Sequence, residues 1–387
     1  MKTPIDLFDT AIVGGGMVGM TLALMLQPSC RRIALIDATP ITALAPNRFI
    51  ALNGSSCDLL KRIGLEDVLA THGTGMKKIH VSCKDHFGSV HLSADEMGYD
   101  ALGCVIPEKY IVHRLSALLS DAQSITLYRP ERLTALQDVG DAVILSTESQ
   151  VLRAKRVIGA DGTRSTVRDL LGITTKTTHY HQSALVAELS LTRSHHSVAY
   201  ERFQAIGAIA MLPLKEKQVA MIWTGSTDAI NRLTALDSTD FLKELQMCFG
   251  YRLGRFQHSG HRLTYPLLMQ HASQQIKGRV LLVGNAAHTL HPIAAQGLNL
   301  ALREIAQLSD YWLAHSGRDE ALDHFSFQTK QADFSSKLSH GLTALFSKPS
   351  RIFSGIRSVG LVSFDLCTFA KAYLTRSAMG YMQDTVK

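Results

Sequence analysis

The sequence predicts an α/β fold, and three observations carry the prediction. Near the N-terminus a short apolar strand, a glycine-rich turn, an apolar helix and a second apolar strand follow one another without a break. Far along the chain a third apolar strand runs into Asp161-Gly162, and a fourth, farther still, ends at Gly284-Asn285. Each of these leads into a helical pattern. The 387 residues are 46% hydrophobic and 19% charged, enough for a sizeable core and about two domains. That apolar content excludes wholesale disorder.

The first unit reads residue by residue. Ala11-Ile12-Val13 is a strand, Gly14-Gly15-Gly16-Met17-Val18-Gly19 is the turn, Met20 to Leu26 is the helix and Ile33 to Ile36 is the second strand, closed by Asp37. This is G-x-G-x-x-G between a strand and a helix, with an acidic residue about the expected distance on, the Rossmann-like dinucleotide fingerprint. Gly14 permits the tight turn, Gly16 lets the backbone approach a pyrophosphate, and Gly19 lets helix and strand pack closely. The anion would sit at the helix N-terminus, where free N–H groups and the dipole favour it. Asp37 would accept hydrogen bonds from an adenosine ribose. The uncharged run from Ala11 to Leu26 imitates a targeting segment, but Asp6 and Asp9 precede it, glycines open it and Arg31-Arg32 lead straight into the next strand. It is also short of the ~20 residues a bilayer span needs. The motif alone does not choose between FAD and NAD.

The second and third motifs add a site around it. Val157-Ile158-Gly159-Ala160-Asp161-Gly162-Thr163-Arg164 runs from a strand into a short basic helix with Val167 and Arg168. Val280 to Val283 leads into Gly284-Asn285-Ala286-Ala287-His288, and Pro292 breaks the backbone. Gly297 then opens a helix with Leu298, Leu302 and Ile305 on one face.

Taken in this order, the three motifs resemble the aromatic-ring flavoprotein monooxygenases of the para-hydroxybenzoate hydroxylase type, with their dinucleotide fingerprint, "DG" motif and "GD" motif. Arg48-Phe49-Ile50-Ala51-Leu52 resembles the R-x-x-A-L loop of the ubiquinone-biosynthesis hydroxylases within that group. Tyr200-Glu201-Arg202-Phe203, Met211-Leu212-Pro213-Leu214 and Tyr265-Pro266-Leu267 resemble their middle domain. Asn285 stands where the wider family carries Asp, and Ala295 where these hydroxylases usually carry Gly. The form G-N-A-A-x-T-L-H-P, with Phe249 to Gly254, resembles one branch, the 2-polyprenyl-6-methoxyphenol hydroxylases.

The resemblance implies FAD held by the protein, NAD(P)H as a transient co-substrate, and dioxygen as the source of an atom placed on a polyprenylated phenol. It implies that Gly284 and Asn285 bind the ribityl chain and that the helix after Pro292 points its N-terminus, with Gly297, Leu298 and Asn299, at the flavin pyrimidine ring. Asp161, Gly162 and Arg164 lie near the pyrophosphate and the NAD(P)H site on the same grounds, and Arg48 and Arg114 join the cofactor-side candidates. No residue is assigned as the base that activates the phenol. A sister hydroxylase acting at another ring carbon, and a flavin-holding subunit of a biosynthetic assembly, are the competing readings.

The resemblance also implies a discontinuous FAD domain over 1–72, 104–174 and 270–320, a β-sheet substrate domain over 73–103 and 175–269, and a helical C-terminal segment over 321–387. From Gly341 to Lys387 the chain carries Lys348, Arg351, Arg357, Lys371, Arg376 and Lys387 against Asp365 and Asp384, a local net charge of +4 among apolar residues. Helices packed on the other domains explain this segment, and so does a basic amphipathic face for an anionic membrane or a partner complex.

Other chemistries find no support. The net charge of +7 is mild and scattered, so nucleic acid is not argued from it. The seventeen histidines, including the pair His288 and His291, show no metal-ligand spacing. G-x-S-x-G and the W-x-W-x-I-P signature of flavin halogenases are absent. Six dispersed cysteines without a C-x-x-C pair read as reduced thiols of a cytoplasmic protein, one that touches a membrane at most peripherally. Arg193 to Ser197 reads as a solvated polar loop.

Overall fold

The computed structural model describes residues 7–28, 32–40, 48–84, 88–204, 207–289, 296–314 and 368–381. The strands of the three motifs meet in one six-stranded sheet. β2 (Thr10–Val13) lies inside it, followed on one side by β3 (Ile33–Ile36) and β9 (Ile125–Tyr128). On the other side stand β13 (Val157–Gly159), β21 (Val280–Leu282) and β20 (Ile276–Lys277). All neighbours are parallel except β20, which runs antiparallel to β21.

Both faces of this sheet are covered, which is why β3 and β21 are apolar at every position instead of alternating. On one face α1 (Met17–Leu26), α4 (Glu108–Asp121) and α8 (Gln296–Ala314) bring Met20, Leu22, Leu115, Ile305 and Trp312 onto Ile12, Leu35 and Ile158. On the other lies a small sheet of β1 (Leu7–Phe8), β12 (Val151–Ala154), β11 (Val143–Thr147) and β10 (Leu133–Asp138), whose Val143, Leu145 and Leu152 pack with Val13, Ile36 and Leu282. Eight of the ten residues of α1 are buried, so the helix needs apolar side chains all round. It starts at Met17, three residues before the apolar run suggests, because extended Gly16 is its N-cap.

The second layer system is a nine-stranded sheet in the order β22 (His288–Thr289), β19 (Leu263–Ala272), β14 (Thr175–Leu191), β17 (Gln218–Ser226), β16 (Gly207–Pro213), β15 (Val198–Gln204), β6 (Lys78–Cys83) and β7 (Ser89–Ser93), with β18 (Phe256–Ser259) also on β14. α6 (Thr227–Ala235) and α7 (Ser238–Phe249) cover one face, where Ile230, Leu233, Phe241 and Leu245 pack on Leu185, Ile209, Met221 and Trp223. The other face turns to the body of the molecule. There Ala199 and Ala220 meet Phe49, Ala51 and Val105 from a three-stranded sheet of β4 (Phe49–Asn53), β8 (Gly103–Pro107) and β5 (Thr74–Gly75). Phe203 and Cys83 meet Leu374 and Met379 of α9 (Thr368–Met379).

One reading of the sequence changes. His195 is not solvated: it is 5% exposed, its Nε2 donates to the Leu214 carbonyl at 2.7 Å and its Nδ1 accepts from the Ser197 amide at 3.0 Å. A polar loop can bury a histidine when the backbone supplies both partners. Cys57 and Cys104, distant in sequence, place their Sγ atoms 3.6 Å apart as free thiols. Most of the basic segment 341–387 lies outside the described residues. Its described part, α9, docks on the body through Leu374 and Met379, and Lys371 pairs with Glu96 at 3.2 Å. Among the described residues no helix is long and apolar enough to cross a membrane.

Candidate active site

The glycine turns of the three motifs converge at the carboxyl ends of β2, β13 and β21, the usual ligand crevice of a parallel sheet. Gly14 has φ +111°, donates to the Ile36 carbonyl at 2.8 Å and abuts the end of β13, so that a Cβ there would stand 2.4 Å from the Ala160 carbonyl oxygen. A Cβ on Gly19 would stand 1.8 Å from the carbonyl oxygen of Gly14. These two glycines are required by the protein itself. Gly16 is different: nothing lies within 4 Å of its Cβ position, no side chain caps α1 and no acidic residue sits in its first turn. The helix therefore presents open amides to an anion.

Asp37 closes β3 and faces this turn. Its carboxylate accepts from the amide of Gly15, from that of Thr39 at 2.7 Å and from Arg129 Nη2 at 3.2 Å. Arg129 also donates to the carbonyls of Thr39 (2.5 Å) and Gly15 (3.3 Å). Beside the pair is a small pocket walled by Leu35, Leu119 and Leu127. Arg129 is absent from the sequence reading because only the return of the chain after β9 brings it here.

Asp161 turns its side chain onto the start of α5 (Thr166–Leu170): it accepts from Ser165 Oγ at 2.5 Å and the Val167 amide at 3.0 Å. Burial raises its pKa, opposed by those hydrogen bonds. Its backbone, not its carboxylate, borders the glycine turn. Gly162 has φ +81° and open space about it, and Arg164 is exposed. Buried Arg168 ties this motif to the next, donating to Thr163 O at 2.9 Å and Ala286 O at 3.1 Å.

Gly284 lies between α1 and α8, with Val18 and Ala301 about its Cβ position, and Asn285 is exposed beside it. The Gly284 amide donates to Glu304 Oε2 at 2.8 Å, and Gln275 Nε2 donates to Glu304 Oε1 at 3.1 Å. Burial pushes the Glu304 carboxyl up to about 8, and pushes His288, whose Nε2 lies 3.9 Å away, down to about 4. Glu304 was legible only as a lone acid between Leu302 and Ile305.

At the start of α8, Gly297 has open space around it and Leu298 is partly accessible. The Asn299 side chain is engaged within the protein. It donates to Ala51 O and accepts from the Asn53 amide, both at 2.9 Å, pinning α8 to β4. At the other end of β4, Arg48 makes a bidentate pair with Glu108 at 2.5 and 2.8 Å, while Arg114 donates to the Gly64 carbonyl at 3.1 Å. Pro292 and His291 lie outside the described residues.

The residues present fit FAD. Uncapped amides with open space at Gly16 suit a pyrophosphate. The Asp37 carboxylate beside that turn suits ribose hydroxyls.

On the face that packs toward β4 and β8, the nine-stranded sheet carries one row of opposed residues: Val81, Glu201, Ala210, Ile222, Val186 and Leu263. Every member is at least partly accessible; in the flanking rows Ala199, Ala220, Phe203, Ala208 and Ala184 are buried, while Leu212, Glu188, Thr224 and Tyr265 are not. At ~4.8 Å per strand the row is an apolar strip ~24 Å long. Its one polar member is Glu201. Glu201 is half-buried, and that burial pushes its pKa up to about 7.

Comparison with known proteins agrees with this geometry. Residues 8–330 match the FAD binding domain family. The chain is 34% identical over 311 residues to the ubiquinone hydroxylase UbiL of Rhodospirillum rubrum, covering 79% of this chain and 72% of the relative. It is 31% identical over 308 residues to the 3-demethoxyubiquinol 3-hydroxylase of Escherichia coli, covering 78% of each. The crystal structure of p-nitrophenol 4-monooxygenase PnpA from Pseudomonas putida superposes with a TM-score of 0.81 at 16% identity, covering 98% of this chain and all of that one, a likeness of fold.

Proposed function

We propose, for a chain that belongs to the FAD binding domain family and is an FAD-dependent monooxygenase, that the substrate is a polyprenylated phenol of ubiquinone biosynthesis and specifically a 2-polyprenyl-6-methoxyphenol. The apolar strip on the inner face of the nine-stranded sheet carries this reading, because a prenyl tail needs a long apolar surface. FAD, when bound, passes electrons from NAD(P)H to dioxygen so that one oxygen atom reaches the ring.

The chain's own part is binding, orientation and exclusion of water. The amides of α1 and the Asp37–Arg129 pair hold the adenosine diphosphate portion, and Gly284 and Asn285 border the ribityl portion. Asn299 sets the direction of α8, whose uncapped start favours negative charge near the ring. On this reading 1–72, 104–174 and 270–320 form the FAD domain, 73–103 and 175–269 the substrate domain, and 321–387 a C-terminal segment. The name of the Escherichia coli relative favours a second reading, hydroxylation at another carbon of the same kind of ring.

Purified holoenzyme tests both. Oxidation of NAD(P)H should accelerate when a short-chain 2-methoxy-6-prenylphenol is added, with a product heavier by one oxygen atom. The position of the new hydroxyl separates the two readings. No acceleration by any prenylphenol overturns both.

A further inference from the structure

We propose that Glu201 is the catalytic base of this enzyme: its carboxylate accepts the phenol proton of the substrate. The inference rests on the substrate class proposed above and deepens it.

The geometry comes from strand pairing. β15 pairs without a bulge with β16 and with β6 over Tyr200 to Phe203, so its side chains alternate strictly between the two faces. Tyr200 packs in the cluster under α6 and α7. Ala199 packs toward Phe49, Ala51 and Val105, and Phe203 toward Met379. Glu201, between Ala199 and Phe203, therefore shares their inward face, second of the six residues in the strip's row. Its strand neighbours there are Val81 and Ala210. Among the described residues its carboxyl has no hydrogen-bond or ion-pair partner.

A half-buried carboxyl without a protein partner leaves its acceptor oxygens open to a donor from a ligand. Cys83 on β6, Glu188 on β14 and Tyr265 on β19 share its face, and α9 brings Lys371, already paired with Glu96, and Arg376. Desolvation alone accounts for the raised pKa. A group that titrates near neutrality is matched to proton transfer at physiological pH.

The step balances within the established reaction class. The phenol O–H bond breaks, its proton forms the O–H bond of the Glu201 carboxyl, and the electron pair stays on the phenol oxygen, where it enriches the ring carbon that receives oxygen. The proton returns to solvent as product leaves.

The test uses holoenzyme without NAD(P)H, with binding of a short-chain 2-methoxy-6-prenylphenol read from the absorption change of the bound flavin. For the wild type, binding should tighten about tenfold from pH 6 to pH 8 as Glu201 ionises and becomes the acceptor, and the methyl ether of the same phenol should show no such rise. Glu201→Gln should abolish the pH dependence and, in turnover, lower kcat about 10²-fold or more with a smaller change in KM. A flat wild-type profile overturns the assignment without any variant. So does an unchanged profile or unchanged kcat in Glu201→Gln. If no prenylphenol binds or turns over in the wild type, the substrate reading has failed instead.

Discussion

Glu304 accepts the main-chain amide of Gly284 at 2.8 Å, so a helix side chain holds the end of the third motif's strand in place. The carbonyl and amide of a glycine at φ +57° cannot both continue a ladder, and Glu304 supplies the missing acceptor from twenty residues along the chain. Replacing Glu304 by Leu should leave the buried Gly284 amide and the half-buried Gln275 side chain without this partner. A stability loss of about 3 kcal/mol follows, measured by urea denaturation of the FAD-free protein. A loss below about 1 kcal/mol would show that the contact does not position the strand.

The same buried carboxyl predicts a pH dependence. Glu304 at about 8 and Glu201 at about 7 both lie above the ordinary 4.5, so the folded state binds their protons more tightly than the unfolded one. The stability they add is full below about pH 4.5 and is lost as pH rises to 7 and 8. His288, at about 4 against 6.5, acts in the opposite sense and costs stability as pH falls through that window. The melting temperature should therefore decline between pH 6 and pH 8, and Glu304→Gln should flatten the decline. A parallel slope in variant and wild type contradicts the assignment.

Gly19 and Gly16 should separate folding from cofactor binding. Gly19→Ala places a Cβ 1.8 Å from a backbone oxygen and should prevent a cooperative fold. Gly16→Ala meets nothing within 4 Å, so the FAD-free protein should lose about 1 kcal/mol or less, the price of a poorer N-cap. FAD affinity should nevertheless fall at least tenfold, measured by flavin fluorescence titration, because the added methyl occupies the anion's approach. Unchanged affinity would move the pyrophosphate elsewhere.

Asn299 should prove structural. Its amide is the donor to Ala51 and the acceptor from Asn53, and Asn299→Asp turns the donor into a second acceptor facing a carbonyl. Chemical denaturation should show a loss of about 2 kcal/mol or more, larger than for Asn299→Ala, which leaves the two backbone groups free to find water. Equal losses would mean that the bridge carries no polarity.

The sequence by itself determined the strand–turn–helix units, because glycine sterics and apolar periodicity act within a few residues. Gly14, Gly16, Gly19 and Asp37 are legible for that reason, and so are the strands of β3 and β21. What only the tertiary structure decided is which groups each of those residues meets. Asp37 shares its carboxylate with Arg129, Asp161 caps its own helix, Asn299 bridges α8 to β4, and Glu304 holds Gly284. Glu201 is the clearest case. The alternation of β15 says that Tyr200 and Glu201 point to opposite faces, but only the packing of whole sheets decides which face meets the helices and which meets the body of the molecule. Hydrogen bonds and desolvation act over a few ångströms in space, whatever the distance along the chain, and that is information a linear pattern does not hold.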